Sequence, residues 1–261
     1  MTKDVKVAVL YGVGLNCDYE TAEAFNRAGG KADRVLSNRL MEHPDDLRQY
    51  DILAIPGGFS YGDDIAAGVV LATKMKQRLG EQIDGFIGNG KPVIGICNGY
   101  QVLVKGGFLP NFDGKREQEV TLTYNDSGRF EDRWVYLRNG SDRCLFTEGI
   151  DTLELPVRHG EGKFVSDADI VRRLHDDDLV VFRYTGRNGE KHPDYPFNPN
   201  GSVDDIAAIT NRQGNVLGIM PHPEGFIFRE QHPRWTRKDI PEEGSGLQIF
   251  RNAVEYVKKN L

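Results

Sequence analysis

Short apolar runs and amphipathic stretches follow one another along the first part of the chain in a repeating order. Val5-Lys6-Val7-Ala8-Val9-Leu10 is a β-branched run closed by a glycine turn, and Glu20 to Ala28 reads as a helix ended by Gly29-Gly30. The spacing then predicts a strand over 31–36, a short helix over 45–50 and a buried strand, Ile52-Leu53-Ala54-Ile55, that stops at Pro56-Gly57-Gly58. A helix over 65–79, a fourth apolar strand from Pro92 to Ile96 and a helix from Asn98 to Lys105, closed by Gly106-Gly107, complete this half. Strands separated by helices imply a parallel sheet.

From Lys115 the period changes to two. Glu119-Val120-Thr121-Leu122-Thr123-Tyr124 and Trp134-Val135-Tyr136-Leu137 alternate as antiparallel strands added to the core, and 179–184 and 206–210 continue the pattern. Arg187 to Val203 is a long Gly-, Pro- and Asn-rich loop. Val216 to Met220 is a further strand, and 246–261 close the chain as a helix with Leu247, Phe250, Val254 and Val257 on one face. With 261 residues, no internal repeat and no linker composition, the expectation is a single α/β domain spanning 1–261.

A net charge of −6 without a block of like charges excludes the clustered cations that phosphate-backbone binding needs. Met1 to Leu10 lacks the apolar stretch of a signal peptide and no later run approaches a membrane span, so a cytoplasmic location is expected. Cys17, Cys97 and Cys144 are odd in number and widely spaced, which suits neither a disulfide framework nor paired zinc ligands. His43, His175, His192 and His232 are scattered, so no metal site is expected.

Two glycine motifs imitate nucleotide sites. In Gly12-Val13-Gly14 the third glycine of a dinucleotide fingerprint is replaced by Cys17. Gly85-Phe86-Ile87-Gly88-Asn89-Gly90-Lys91 matches a P-loop, but Pro92 stands where a magnesium-binding hydroxyl belongs, and the segment ends a helix instead of opening one.

Gly95-Ile96-Cys97-Asn98-Gly99 lies where a buried strand passes into a helix, the setting in which a Gly-x-nucleophile-x-Gly sequence forms an exposed elbow. The glycines let the helix cross close to the strand. The turn aims Cys97 at the carboxyl edge of the sheet and at the positive end of the following helix, which stabilises a thiolate. The Asn98 N–H can receive an oxyanion, and Gly57-Gly58-Phe59 can supply a second donor. Without its flanking glycines Cys97 reads as a small buried hydrophobe; with them it reads as a nucleophile. Cys17 and Cys144 lack this context and read as structural.

A thiol nucleophile needs a base. His159-Gly160-Glu161 and His222-Pro223-Glu224 each set a carboxylate two residues from an imidazole. Pro221 and Pro223 hold the second pair stiff and extended, so that both side chains project to one side, whereas Gly160 and Gly162 leave the first pair loose. His222 is therefore the expected general base, Glu224 its orienting partner, and His159 a binding residue.

Pro56-Gly57-Gly58, then Gly95-Ile96-Cys97-Asn98-Gly99-Tyr100-Gln101, then Pro221-His222-Pro223-Glu224, resemble in that order the class I, triad-type glutamine amidotransferases over nearly the whole chain. Gly57-Gly58-Phe59-Ser60-Tyr61-Gly62-Asp63, Arg158-His159-Gly160-Glu161-Gly162 and Asn198-Pro199-Asn200-Gly201-Ser202 are more narrowly similar to the glutaminase subunits of phosphoribosylformylglycinamidine synthases, which serve purine biosynthesis. The resemblance implies a flavodoxin-like, mostly parallel sheet with flanking helices. It implies glutamine hydrolysis through a Cys97 glutamyl thioester, with ammonia passing to a synthetase subunit that amidates formylglycinamide ribonucleotide. ATP and magnesium would belong to that partner, none is expected on this chain, and a small bridging subunit could join the complex. Gly58, Phe59, Asn98, Gln101, His159 and Gly160 would help hold glutamine.

Two departures stand out. Tyr100 replaces Cys or Phe, and Asp64-Ile65-Ala66 replaces a Tyr-Leu-Arg, which bears on glutamine access or on the synthetase contact. Arg229 to Arg237 reads equally as a docking surface or as a loop packed on the last helix. The alternatives are a stand-alone cysteine hydrolase of peptide or γ-glutamyl substrates and a binding module that has lost its chemistry.

Overall fold

The computed structural model describes residues 3–261; residues 1–2 of the expected domain lie outside the described residues. The strands are β1 (Lys6–Tyr11), β2 (Lys31–Leu36), β3 (Ile52–Ile55), β4 (Val93–Ile96), β5 (Thr121–Thr123), β6 (Glu131–Asn139), β7 (Thr152–His159), β8 (Lys163–Val165), β9 (Val180–Thr185), β10 (Ile206–Thr210) and β11 (Val216–Ile219). The helices are α1 (Asp18–Arg27), α2 (Ser37–Glu42), α3 (Val69–Gly88), α4 (Asn98–Lys105), α5 (Ala168–Asp176) and α6 (Leu247–Asn260). Nine strands form one sheet in the order β2-β1-β3-β4-β11-β10-β9-β6-β7. The first five are mutually parallel and the last four continue antiparallel.

Burial explains this division. β3, β4 and β11 are buried at every position, as central parallel strands covered by helices on both faces must be. β6 and β7 alternate buried and accessible positions over part of their length. The apolar face expected of α6, Leu247, Phe250, Val254 and Val257, meets the core, as do Leu71, Met75, Leu79, Ile83 and Phe86 on α3. Among the described residues no helix is long and apolar enough to cross a membrane.

Five elements differ from expectation. α3 begins at Val69, after Gly68 in the left-handed region (φ 77°), and runs on to Gly88 because its buried face continues past Leu79. The Glu119–Tyr124 alternation yields only β5, which pairs with β8 in a separate two-stranded sheet and does not join the main one. β7 contains Pro156, which tells against a central strand, and it lies at the sheet edge, where a missing N–H is tolerated. α2 and α5 are short surface helices outside the expected pattern.

The sheet curls so that β7, last in strand order, returns to the end of β4. His222 donates its backbone N–H to Pro156 O at 2.8 Å, and the Cys97 thiol reaches Arg158 O at 3.7 Å. On the other side, a Cβ added to Gly99 would collide with the carbonyl oxygen of Ile55, and one on Gly95 would lie 2.6 Å from Gly99 O. α4 therefore rests directly on the ends of β3 and β4. Gly99→Ala is expected to lower unfolding stability by roughly 3 kcal/mol in chemical denaturation, since neither backbone can yield. An unchanged midpoint would contradict this contact.

Candidate active site

Cys97 occupies the turn between β4 and α4 with φ 50° and ψ −104°, in the positive-φ region that β-substituted residues rarely enter. Its N–H is tied to Ile219 O at 2.8 Å and its carbonyl accepts from the Gln101 N–H at 3.1 Å, so both ends of the strained residue are fixed. The side chain is 5% exposed.

His222 follows β11 in an extended conformation, with φ −101° and ψ 94°. Its Nδ1 meets Glu224 Oε1 at 2.5 Å, and both side chains are 2% exposed. Nε2 has no hydrogen-bond partner of ordinary geometry, and neither has Glu224 Oε2. Burial alone would lower the basicity of His222, but the Glu224 carboxylate and the Cys97 thiolate outweigh it and hold the imidazole well above its usual range. A buried imidazole that a neighbouring carboxylate holds basic is an arrangement suited to activating a cysteine nucleophile. Gly57 completes the fit, because a Cβ there would lie 2.7 Å from His222 Cε1.

The competing pair is arranged differently. His159 is 2% exposed, and its Nδ1 lies 3.0 Å from Asn125 Oδ1. The Asn125 amide nitrogen donates to Arg129 O and His159 O, so its oxygen is the acceptor and His159 Nδ1 carries the proton. Asn200 Nδ2 approaches Nε2 at 3.5 Å. Burial, reinforced by the charge of His222, pushes His159 down to about 3, so this ring is neutral. Gly160 O accepts from the Asn125 N–H at 3.0 Å, and nothing crowds the Gly160 Cα. Asn200, from the Asn-Pro-Asn-Gly-Ser stretch, also donates to Gly162 O at 2.9 Å.

The expected oxyanion donors divide. The N–H groups of Asn98 and Gly58 have no acceptor among the described residues, and Gly58 holds φ 147°. The Phe59 N–H is not available, since it donates to Gly14 O at 2.7 Å; its ring remains 43% exposed. Gln101 is turned inward: Nε2 donates to Glu161 O at 2.6 Å, and Oε1 accepts from Asn98 Nδ2 at 2.9 Å. Asn98 Oδ1 accepts from the Ser60 N–H, which ties the elbow to the loop after β3.

In that loop Tyr61, Gly62, Asp63, Ile65 and Gly68 all have positive φ, and Ile65 is 88% exposed. Asp63 faces Glu161, whose charge Lys105 balances only in part, at 3.9 Å. Burial first, and Glu161 second, push Asp63 up to about 6.

Of the two remaining cysteines, one departs from expectation. Cys144 is structural as expected, with a thiol that burial pushes up to about 11. Cys17 is not merely a packing residue. It precedes α1, its N–H donates to Gly57 O at 3.2 Å, and its sulfur lies within 4.8 Å of a His222 ring nitrogen and a Glu224 carboxylate oxygen. No local pattern could reveal this, because the contact joins residues at opposite ends of the chain. Arg229 to Arg237 is anchored inward by His232, which is 1% exposed and packs edge-on against Trp134 with ring centroids 4.6 Å apart; Trp235 stays partly exposed.

Residues 4–257 match the family model of the CobB/CobQ-like glutamine amidotransferase domain. The chain is similar to phosphoribosylformylglycinamidine synthase subunit PurQ of Dehalococcoides mccartyi, 47% identical with 98% of each chain covered. It is also similar to subunit PurQ of Methanococcus maripaludis, 39% identical over 97% of this chain and 98% of that one. Among solved structures it resembles a chain of PurLQS from Thermotoga maritima, with TM-score 0.73, 28% identity and coverage of 97% of this chain and 99% of that chain.

The raised Asp63 carboxyl makes a signed prediction. A carboxyl whose folded value lies above its unfolded one contributes stability that is present below the unfolded value and lost as pH rises through about 6. Asp63→Asn is therefore expected to melt above wild type at pH 7.5 and level with it near pH 4. A difference independent of pH, or one of opposite sign, would contradict the assignment.

Proposed function

The chain belongs to the CobB/CobQ-like glutamine amidotransferase family, and from that premise we propose that it is the glutaminase subunit of a phosphoribosylformylglycinamidine synthase. In this role it is a single cytoplasmic domain, 1–261, in which Cys97, His222 and Glu224 carry the chemistry. The observation that supports the chemistry most directly is the buried His222–Glu224 pair beside a cysteine held at positive φ. The likeness to PurQ subunits along the whole chain supports the acceptor, and disfavours the stand-alone hydrolase.

The reaction follows from the geometry. The Cys97 thiolate attacks the side-chain amide carbon of glutamine, and the negative charge that develops on the oxygen is received by the Asn98 and Gly58 N–H groups. His222 gives its proton to the departing nitrogen, which leaves as ammonia, and a glutamyl thioester remains on Cys97. His222, now neutral, takes a proton from water as the water adds to the thioester, and glutamate leaves. Glu224 keeps Nδ1 protonated throughout, so that Nε2 is the nitrogen that exchanges protons. Gln101, Asn98 and the Arg158-His159-Gly160 segment shape the glutamine pocket through their backbone and through the bonds among them. Ammonia then passes to a synthetase subunit, which supplies ATP and magnesium for amidation of formylglycinamide ribonucleotide; a small bridging subunit completes the complex.

Ammonia release from glutamine by the purified chain is expected to rise when the synthetase subunit is added, and to disappear in Cys97→Ala. Glu224→Gln is expected to lower kcat by roughly 10²–10⁴-fold. Full activity of Cys97→Ala, or vigorous partner-free cleavage of peptides, would overturn the proposal.

A further inference from the structure

Cys17, His222 and Glu224 each offer a ligand atom, and these atoms all lie within 4.8 Å of one another. A thiolate, an imidazole and a carboxylate form the mixed donor set that zinc-class cations take, and the ligand atoms of a tetrahedral zinc site are themselves about 3.3–3.8 Å apart. To reach that geometry the 2.5 Å between His222 Nδ1 and Glu224 Oε1 widens by about 1 Å as the ion enters, and the sulfur, within 4.8 Å of both partners, needs only a small shift. Glu224 Oε2 is buried without a hydrogen-bond partner, so the cluster holds a carboxylate oxygen that nothing in the fold satisfies. Cys17 is half-buried while the other two are 2% exposed, which leaves the sulfur as the side of approach. Gly57 leaves this space open, because a Cβ there would lie 3.3 Å from Cys17 Sγ and 2.7 Å from His222 Cε1.

We propose that Cys17, His222 and Glu224 form an inhibitory site for a thiophilic divalent cation of the zinc class. On binding, the Cys17 thiol releases its proton to solvent, and the ion replaces the proton held between His222 Nδ1 and Glu224. The Nδ1 proton also leaves to solvent and the imidazole is fixed as a metal ligand with its remaining proton on Nε2; giving that proton to the departing nitrogen would leave an imidazolate, so the acid step fails. Glutaminase activity stops without any change to Cys97. This consequence rests on the reading of His222 as the base; the site itself does not.

The test is a titration of the chelator-treated, reduced full-length chain with Co²⁺, a spectroscopic stand-in for Zn²⁺, in the absence of oxygen. Wild type and Cys97→Ser are expected to develop sulfur-to-cobalt charge-transfer absorption and tetrahedral ligand-field bands that Zn²⁺ abolishes, and Cys17→Ser is expected to lack them. Glu224→Gln, which keeps both thiols, is expected to weaken Zn²⁺ binding at least about tenfold, and it serves as the second variant should Cys17→Ser fold poorly. Absence of the bands in wild type would overturn the proposal, as would bands that survive Cys17→Ser and vanish in Cys97→Ser. These spectra do not depend on turnover, so a failure of the glutaminase reading, seen as ammonia release by Cys97→Ala, is separately visible.

Discussion

The positive φ of Cys97 is the constraint on which the rest of the molecule depends. A β-substituted residue held in that region costs of order 1–3 kcal/mol and persists only where its surroundings over-determine it. Here the strand ladder fixes its N–H on Ile219, the first turn of α4 fixes its carbonyl, and Gly99 lets that helix sit on the carbonyl of Ile55. Two residues beyond Ile55, Gly57 leaves room for His222 and Cys17. Nucleophile, base and candidate oxyanion donors thus share one backbone junction.

Electrostatics supplies the second half of the account. An imidazolium and a carboxylate that are both 98% buried are costly to desolvate, and removing either one leaves an unpaired buried charge, a loss of about 3–5 kcal/mol. His159 illustrates the opposite solution. It is equally buried, but its partners are the neutral amides of Asn125 and Asn200, and it stays uncharged beside His222. One fold therefore keeps two buried histidines in opposite protonation states by whether a carboxylate or an amide faces Nδ1.

Much of this was legible in the sequence because it is local. The elbow, the strands 31–36 and 52–55, α4 and the stiff Pro221-His222-Pro223-Glu224 segment each carry their signal within a few residues. The missed features are those that only tertiary structure creates. β7 is disguised by Pro156 and becomes a strand because it is an edge; it then reaches the site only through the curl of the sheet. Cys17 owes its place beside His222 to the packing of the loop after β1 on Gly57 and Gly58, which no spacing encodes. The inward turn of Gln101 likewise depends on Glu161, whose backbone arrives from the far side of the sheet extension.

The central claim is that backbone position, and not exposure, selects the reactive thiol. Peptide mapping after treatment with an electrophilic glutamine analogue tests it most directly, because the half-buried Cys17 is the more accessible of the two thiols beside His222. The account predicts a saturable reaction that leaves a single adduct, on Cys97. An adduct on Cys17 or Cys144, or none at any cysteine, would contradict it.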